Sequence, residues 1–188
     1  MKGALIVVGV LVVVALLAIM PLMGARNELV TERESVKGAW AQVENAMQRR
    51  ADLIPNLVAT VKGFAKQEQS VIDSVTSARA ALGGARTPQD KIAANDQLSG
   101  ALSRLLVVTE NYPQLKSNEN FMALQNELAG TENRMTQERR KYNDTIQKYN
   151  TDIELFPKNI AASLFGFSRN DDYFKAEAGA KEVPKVTF

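Results

Sequence analysis

Between Asn118 and Phe156 apolar side chains recur at Phe121, Leu124, Leu128, Met135, Tyr142, Ile146, Tyr149, Ile153 and Phe156. The steps are three and four residues once the polar Gln125, Glu132 and Arg139 are included, which lines one face of a long helix. Ser117 is placed to cap it through its hydroxyl. Pro157, which has no N–H and clashes with the preceding turn, closes it. At about 1.5 Å per residue such a helix spans roughly 58 Å and needs partners along its length.

Residues 4–23 are almost continuously apolar, interrupted by Gly9 and Pro21, a length that matches the ~30 Å hydrocarbon layer of a bilayer. A cleaved signal peptide would carry an apolar region of about 7 to 15 residues and then a small-x-small site. Met23-Gly24-Ala25 is a poor match to that site, and no Cys exists for lipid attachment, so the run reads as an uncleaved anchor. From Arg26 the helix can continue, with Leu29, Arg33, Val36, Trp40, Val43 and Met47 on a heptad-like stripe.

Pro55 then poses a choice, because proline in a helix interior costs about 3 kcal/mol. Either the helix kinks, or the chain turns near Ala51 and Asp52, with Asp52 as N-cap and Pro55 in a first turn whose N–H groups are unpaired anyway. The turn is favoured. It gives a second helix bearing Leu57, Val61, Phe64, Glu68, Val71, Val75, Ala78 and Leu82. Gly83-Gly84-Ala85-Arg86 reads as a loop. Thr87 as cap, Pro88 in the first turn and Asp90 near the positive end of the dipole restart a helix. That third helix carries Ala94, Leu98, Ala101, Leu105, Val108 and Tyr112, and Pro113 stops it.

The expected fold is all-α: an N-terminal transmembrane helix followed by an antiparallel four-helix bundle with long helices. The anchor covers residues 1–25, the bundle 26–157 and an aromatic C-terminal tail 158–188. Short connections make consecutive helices antiparallel, so the fourth returns toward the bilayer. It exceeds the others by about 12 residues, or ~18 Å. The tail holds Ile160, Leu164, Phe165 and Phe167, then Tyr173, Phe174, Val183, Val186 and Phe188. Folding back onto the bundle is favoured over lying in the membrane interface.

Composition narrows the chemistry. The 188 residues are 45% hydrophobic and 23% charged, which suits one domain of ordinary size. The 23 basic and 21 acidic residues are interspersed, for a net charge of +2. That describes a solvated surface and no nucleic-acid partner. With neither Cys nor His in the chain, thiolate nucleophiles, a Ser-His-Asp triad and the usual zinc and di-iron sites cannot be built. No enzyme, cofactor or metal is expected. Basic residues flank the apolar run almost equally, with Lys2 before it and Arg26, Arg33 and Lys37 after, and the rule that positive flanks stay inside only tilts the body to the extracytoplasmic side.

Several strings carry a resemblance. Arg49-Arg50-Ala51-Asp52-Leu53-Ile54-Pro55-Asn56-Leu57-Val58 looks like the central motif of the LemA family of bacterial membrane proteins. Leu98 to Leu105, Glu110-Asn111-Tyr112-Pro113, Thr131-Glu132-Asn133-Arg134, the pairs Tyr142-Asn143 and Tyr149-Asn150, and Phe165-Gly166-Phe167 are similar too. The resemblance covers nearly the whole chain. It implies one N-terminal membrane helix and an antiparallel bundle in a bacterial inner membrane, with no catalytic activity known for the family as a class. It also implies relatives found beside membrane metalloproteases or tied to shaping membranes. No catalytic residues come with it.

Candidate contact residues are therefore Arg49, Arg50, Asp52, Pro55, Asn56, Tyr142, Asn143, Tyr149 and Asn150. The Tyr-Asn pairs lie seven apart on one face, as a ladder for a partner or, preferably, as seam residues whose polar groups are met within the bundle. Arg49 and Arg50 either dock an acidic partner or pair with Asp52 to hold the turn. Arg33, Glu68, Gln125, Glu132 and Arg139 interrupt the apolar stripes. The expectation is that Arg33 or Arg139 pairs with Glu132 or Glu68 and sets helix register. Small residues at Ala78, Ala80, Ala81, Ala93 and Ala94 permit close packing between subunits. The expected role is a scaffold that self-assembles at the bilayer; the alternative is an adaptor or sensor that binds a membrane protein such as a protease.

Overall fold

A computed structural model describes residues 2–175, apart from the side chains of residues 2, 4, 14, 15 and 18. Among the described residues the regular structure is helical throughout: α1 (Lys2–Phe64), α2 (Gln69–Gly84), α3 (Pro88–Thr109), α4 (Pro113–Lys116), α5 (Glu119–Glu154) and α6 (Lys158–Phe165). They fall into two compact units. One joins Val43–Arg139 with Asp172–Phe188, and the other joins Met1–Gln42 with Arg140–Asp171.

In the first of these the expected turn at Ala51 and Asp52 is absent, because α1 runs through Pro55 to Phe64. The burial pattern explains why. Val43, Arg50 and Leu57, and beside them Met47, Ile54 and Val61, are buried in seven-residue steps, and this stripe does not stop at the proline. Pro55 itself is exposed, so its ring lies outside the packing. What the proline removes is the donor for the carbonyl of Ala51, four residues earlier. Arg79 of α2 replaces it, donating from Nε to the Ala51 carbonyl at 2.9 Å.

Asp52 is consequently mid-helix and caps nothing; its carboxylate accepts from Gln48 at 2.7 Å. The chain turns at 65–68 instead. There Gln67 donates to the Tyr112 hydroxyl at 3.0 Å, and Tyr112 donates to Glu68 at 2.8 Å. That second bond raises the Tyr112 pKa.

Consecutive helices of this unit run antiparallel. Arg104 of α3 reaches Ser74 of α2, and Arg139 of α5 reaches Asp96 of α3, both at 3.3 Å. The start of α3 is as expected, with the Asp90 N–H donating to the Thr87 hydroxyl at 3.1 Å. The start of α5 is not. Asn118 accepts from the Phe121 N–H at 3.1 Å and is the cap, while the Ser117 hydroxyl donates back to Gln114. Ile54, Leu57, Ile72, Leu98, Leu105, Phe121 and Met135 are fully buried.

In the other unit α5 runs antiparallel to α1. The Trp40 ring packs on Tyr142 at 5.2 Å, and Lys148 reaches Glu32. Phe156, assigned by its spacing to the core face, lies past the end of α5 and is 79% exposed. The tail folds back as α6, setting Ala161 and Ala162 against Ala25 and Leu29, with Leu22, Ile153 and Phe167 packed around them. Small side chains on both helices allow this close approach. Val183, Val186 and Phe188 lie outside the described residues.

Among the described residues no helix is long and apolar enough to cross a membrane. The run 4–23 includes four side chains outside the description; apart from Leu22, which packs against the Ala25 cluster, its described large apolar side chains from Leu5 to Met23 are exposed.

Candidate functional site

One residue turns a helix by about 100°, so Arg49 and Arg50 meet different surroundings. Arg49 is exposed and 3.3 Å from Glu127. Arg50 is buried, with Nη1 at 2.8 Å from Glu132 and donating to Ser99 at 2.8 Å. Ser99 in turn donates to the Asn95 carbonyl. Burial lowers the Arg50 pKa and Glu132 opposes that shift, yet a guanidinium stays charged.

Neither arginine pairs with Asp52, contrary to one sequence reading, because in a continuous helix both reach toward carboxylates of α5. Pro55 and Asn56 are exposed, and the Asn56 carbonyl accepts from Thr60. A cavity of about 560 Å³ opens at Arg50, lined also by Ser99, Leu102, Leu128, Glu132 and Arg139.

The pairings expected of the stripe-breaking residues do not form. Glu132 takes Arg50, and Glu68 takes Tyr112. Arg139 takes Asp96 and stacks on Phe174 at 4.9 Å. Arg33 stacks on Phe167 at 5.2 Å. Arg50 sits in a heptad position between Val43 and Leu57, which a turn at Ala51 and Asp52 would interrupt, so it is not among the stripe-breaking residues of the sequence pattern. Asn95 was also missed. It is fully buried, and neither its side-chain nitrogen nor its oxygen has a partner among the described residues.

The Tyr-Asn pairs belong to the other unit. Tyr142 and Tyr149 are buried, and Asn143 is half-buried. The Tyr149 hydroxyl donates to the Ser168 carbonyl at 2.9 Å, and burial pushes its pKa up. Asn150 donates to the Asn170 carbonyl at 2.6 Å and accepts from the Asn170 N–H at 2.9 Å. Tyr149 and Asn150 thus clasp the backbone that follows α6. A backbone acceptor leaves no residue signature, so the sequence did not disclose what they hold.

The same unit contains a charged cluster that pattern reading missed. Lys158 lies 2.7 Å from Asp152, 3.0 Å from Glu28 and 3.2 Å from Glu32. Lys148 lies 2.5 Å from Glu32 and 2.9 Å from Asp152. Hydrogen bonding from the Glu32 carboxyl, then from both ammonium groups, holds Asp152 well below the usual carboxylate range. Burial works against charge on Lys158, but its three carboxylate partners carry its pKa above the ordinary value. The spacing of Glu28 and Glu32 and of Lys148 and Asp152, four apart on helices, was the available signal. Among the described residues no group of three or more His, Cys, Asp or Glu is placed to hold a metal ion.

The family model described as LemA family matches residues 39–188. The chain belongs to the LemA family. The magnetosome proteins MamQ 2 and MamQ 1 of Paramagnetospirillum magneticum are each 28% identical to it over 195 residues, covering 90% of this chain and 71% of theirs. Protein LemA of Metamycoplasma hominis is 23% identical over 168 residues, covering 87% of this chain and 73% of its own. The LemA match takes in Arg50 with its partners, the Tyr149–Asn150 clasp and Lys158, and it begins after the apolar run. What this LemA-family chain places at those positions is ion pairing and backbone clasping.

Proposed function

We propose that this LemA-family chain is a non-enzymatic, single-pass protein of a bacterial inner membrane, whose helical body stands on the extracytoplasmic side as a self-assembling scaffold that organises or shapes the bilayer. The observation that carries the reading is the exposed apolar surface from Leu5 to Met23 on a helix that continues unbroken past Arg26. In water, exposed apolar side chains in such number are unfavourable; in hydrocarbon they are satisfied. Ala80, Ala81 and Ala93 are exposed and available for close packing between copies, whereas Ala78 and Ala94 are used inside the fold.

The adaptor alternative named two places for its partner, the bundle and the 49–55 turn; the second is gone, since residues 49–56 are helical and Arg50 is engaged internally. Carbonate extraction of native membranes followed by light scattering in detergent tests the proposal. The chain should stay with the membrane pellet and run as a multimer. Release into the carbonate wash would overturn the anchor, and a strict monomer would overturn the scaffold.

A further inference from the structure

We propose that the corner joining α5 to α6 is a second membrane contact, dipping into the interfacial layer of the same bilayer beside the point where α1 emerges. This rests on the anchored reading above. Leu155 is 55% exposed, Phe156 79%, Ile160 47% and Leu164 67%. Ile160 and Leu164 lie one turn apart on the α6 face away from Ala161 and Ala162, so α6 is apolar on both sides. One side has an occupant, the Ala25–Leu29 surface of α1.

What covers the other side follows from where the first side is docked. Ala25 stands two residues beyond Met23, where the largely exposed apolar run ends. A chain anchored by that run therefore holds α6 at the level where the hydrocarbon ends. Interfacial helices bury their apolar face roughly 5–10 Å into the boundary between headgroups and acyl chains, and large apolar side chains at the corner suit that depth.

Arg26 fits the same placement. Its guanidinium stacks on the Phe165 ring at 5.5 Å and donates only to its neighbour Asn27, with no carboxylate partner among the described residues. Stacking on an aromatic face leaves the edge of the guanidinium free to donate to phosphate, and lipid headgroups supply phosphate at that level.

The chain has no Cys, so single labels can be placed without removing native ones. Phe156→Cys and Leu164→Cys would each carry an environment-sensitive fluorophore in the full-length protein, held in phosphatidylcholine–phosphatidylglycerol nanodiscs with a nitroxide near the headgroup end of the acyl chain. Leu11→Cys and Ser35→Cys, the latter exposed on the same helix about 18 Å beyond Met23, give the anchor and body references, and circular dichroism confirms that each variant is helical.

The corner labels should be quenched about two-fold or more, and the Ser35 label should not. Quenching at Leu11 with none at either corner position overturns the second contact and leaves the anchor standing. A blue-shifted corner label that the lipid nitroxide does not quench means that another copy of the chain covers the corner, and the proposal fails. No quenching at Leu11 removes the anchor and the corner contact together.

Discussion

Arg79 hydrogen-bonds the Ala51 carbonyl at 2.9 Å, the acceptor that Pro55 deprives of its helical donor. Ala51 is buried, so without Arg79 that carbonyl would face the interior unpaired, at a cost of about 1–3 kcal/mol. The arginine is what makes a proline tolerable in the middle of α1.

Arg79→Met should therefore lower stability by about 1–3 kcal/mol. Pro55→Ala restores an N–H for Ala51, so it should help more in the Arg79→Met background than in the wild type, with a coupling of about 1 kcal/mol. Urea titration followed by circular dichroism measures the cycle. Strict additivity would show that the two residues are not linked.

The Arg50–Glu132 pair should respond asymmetrically. The Arg50 side chain is 8% exposed and that of Glu132 42%. Glu132→Ala leaves a buried guanidinium without its carboxylate, costing about 3–5 kcal/mol. Arg50→Met leaves a carboxylate whose facing oxygen is buried but whose side chain is 42% exposed, so water can reach it on relaxation, costing about 1–2 kcal/mol. Thermal melts of the two variants should rank in that order, and equal losses would contradict the argument.

Acid should loosen the cluster around Asp152. Its pKa is depressed in the fold, so its contribution is complete above the unfolded value of about 3.9 and disappears as pH falls toward the folded one. Lys158 has a raised pKa, so its contribution holds below about 10.4 and disappears as pH rises through the folded value. Asp152→Asn should lower the melting temperature at neutral pH, and the gap from wild type should begin to narrow below about pH 4 and go on narrowing as pH falls further. A gap that persists undiminished in acid would assign the effect of the substitution to something other than the Asp152 charge.

Helical periodicity was legible wherever burial repeats along one element. Leu98, Ala101 and Leu105 of α3 and Met135, Tyr142 and Tyr149 of α5 were assigned to buried faces and are buried. The Thr87 cap was legible because its donor lies three residues away. The polar partners were not, since Glu132 could in principle meet any arginine on a neighbouring helix, and register between helices decides which.

By itself the sequence determined that the chain is helical, where its apolar run lies and which faces are buried, because those properties depend on side chains that are neighbours along one helix. Only the tertiary structure decided that α1 passes through Pro55, that the turn comes at 65–68, and that Tyr149 and Asn150 hold the segment after α6. Each of these depends on a hydrogen-bond partner distant in sequence. The free energy of an unpaired carbonyl or a buried guanidinium is set by what the folded chain brings to it, as Arg79 is brought to Ala51 from 28 residues away.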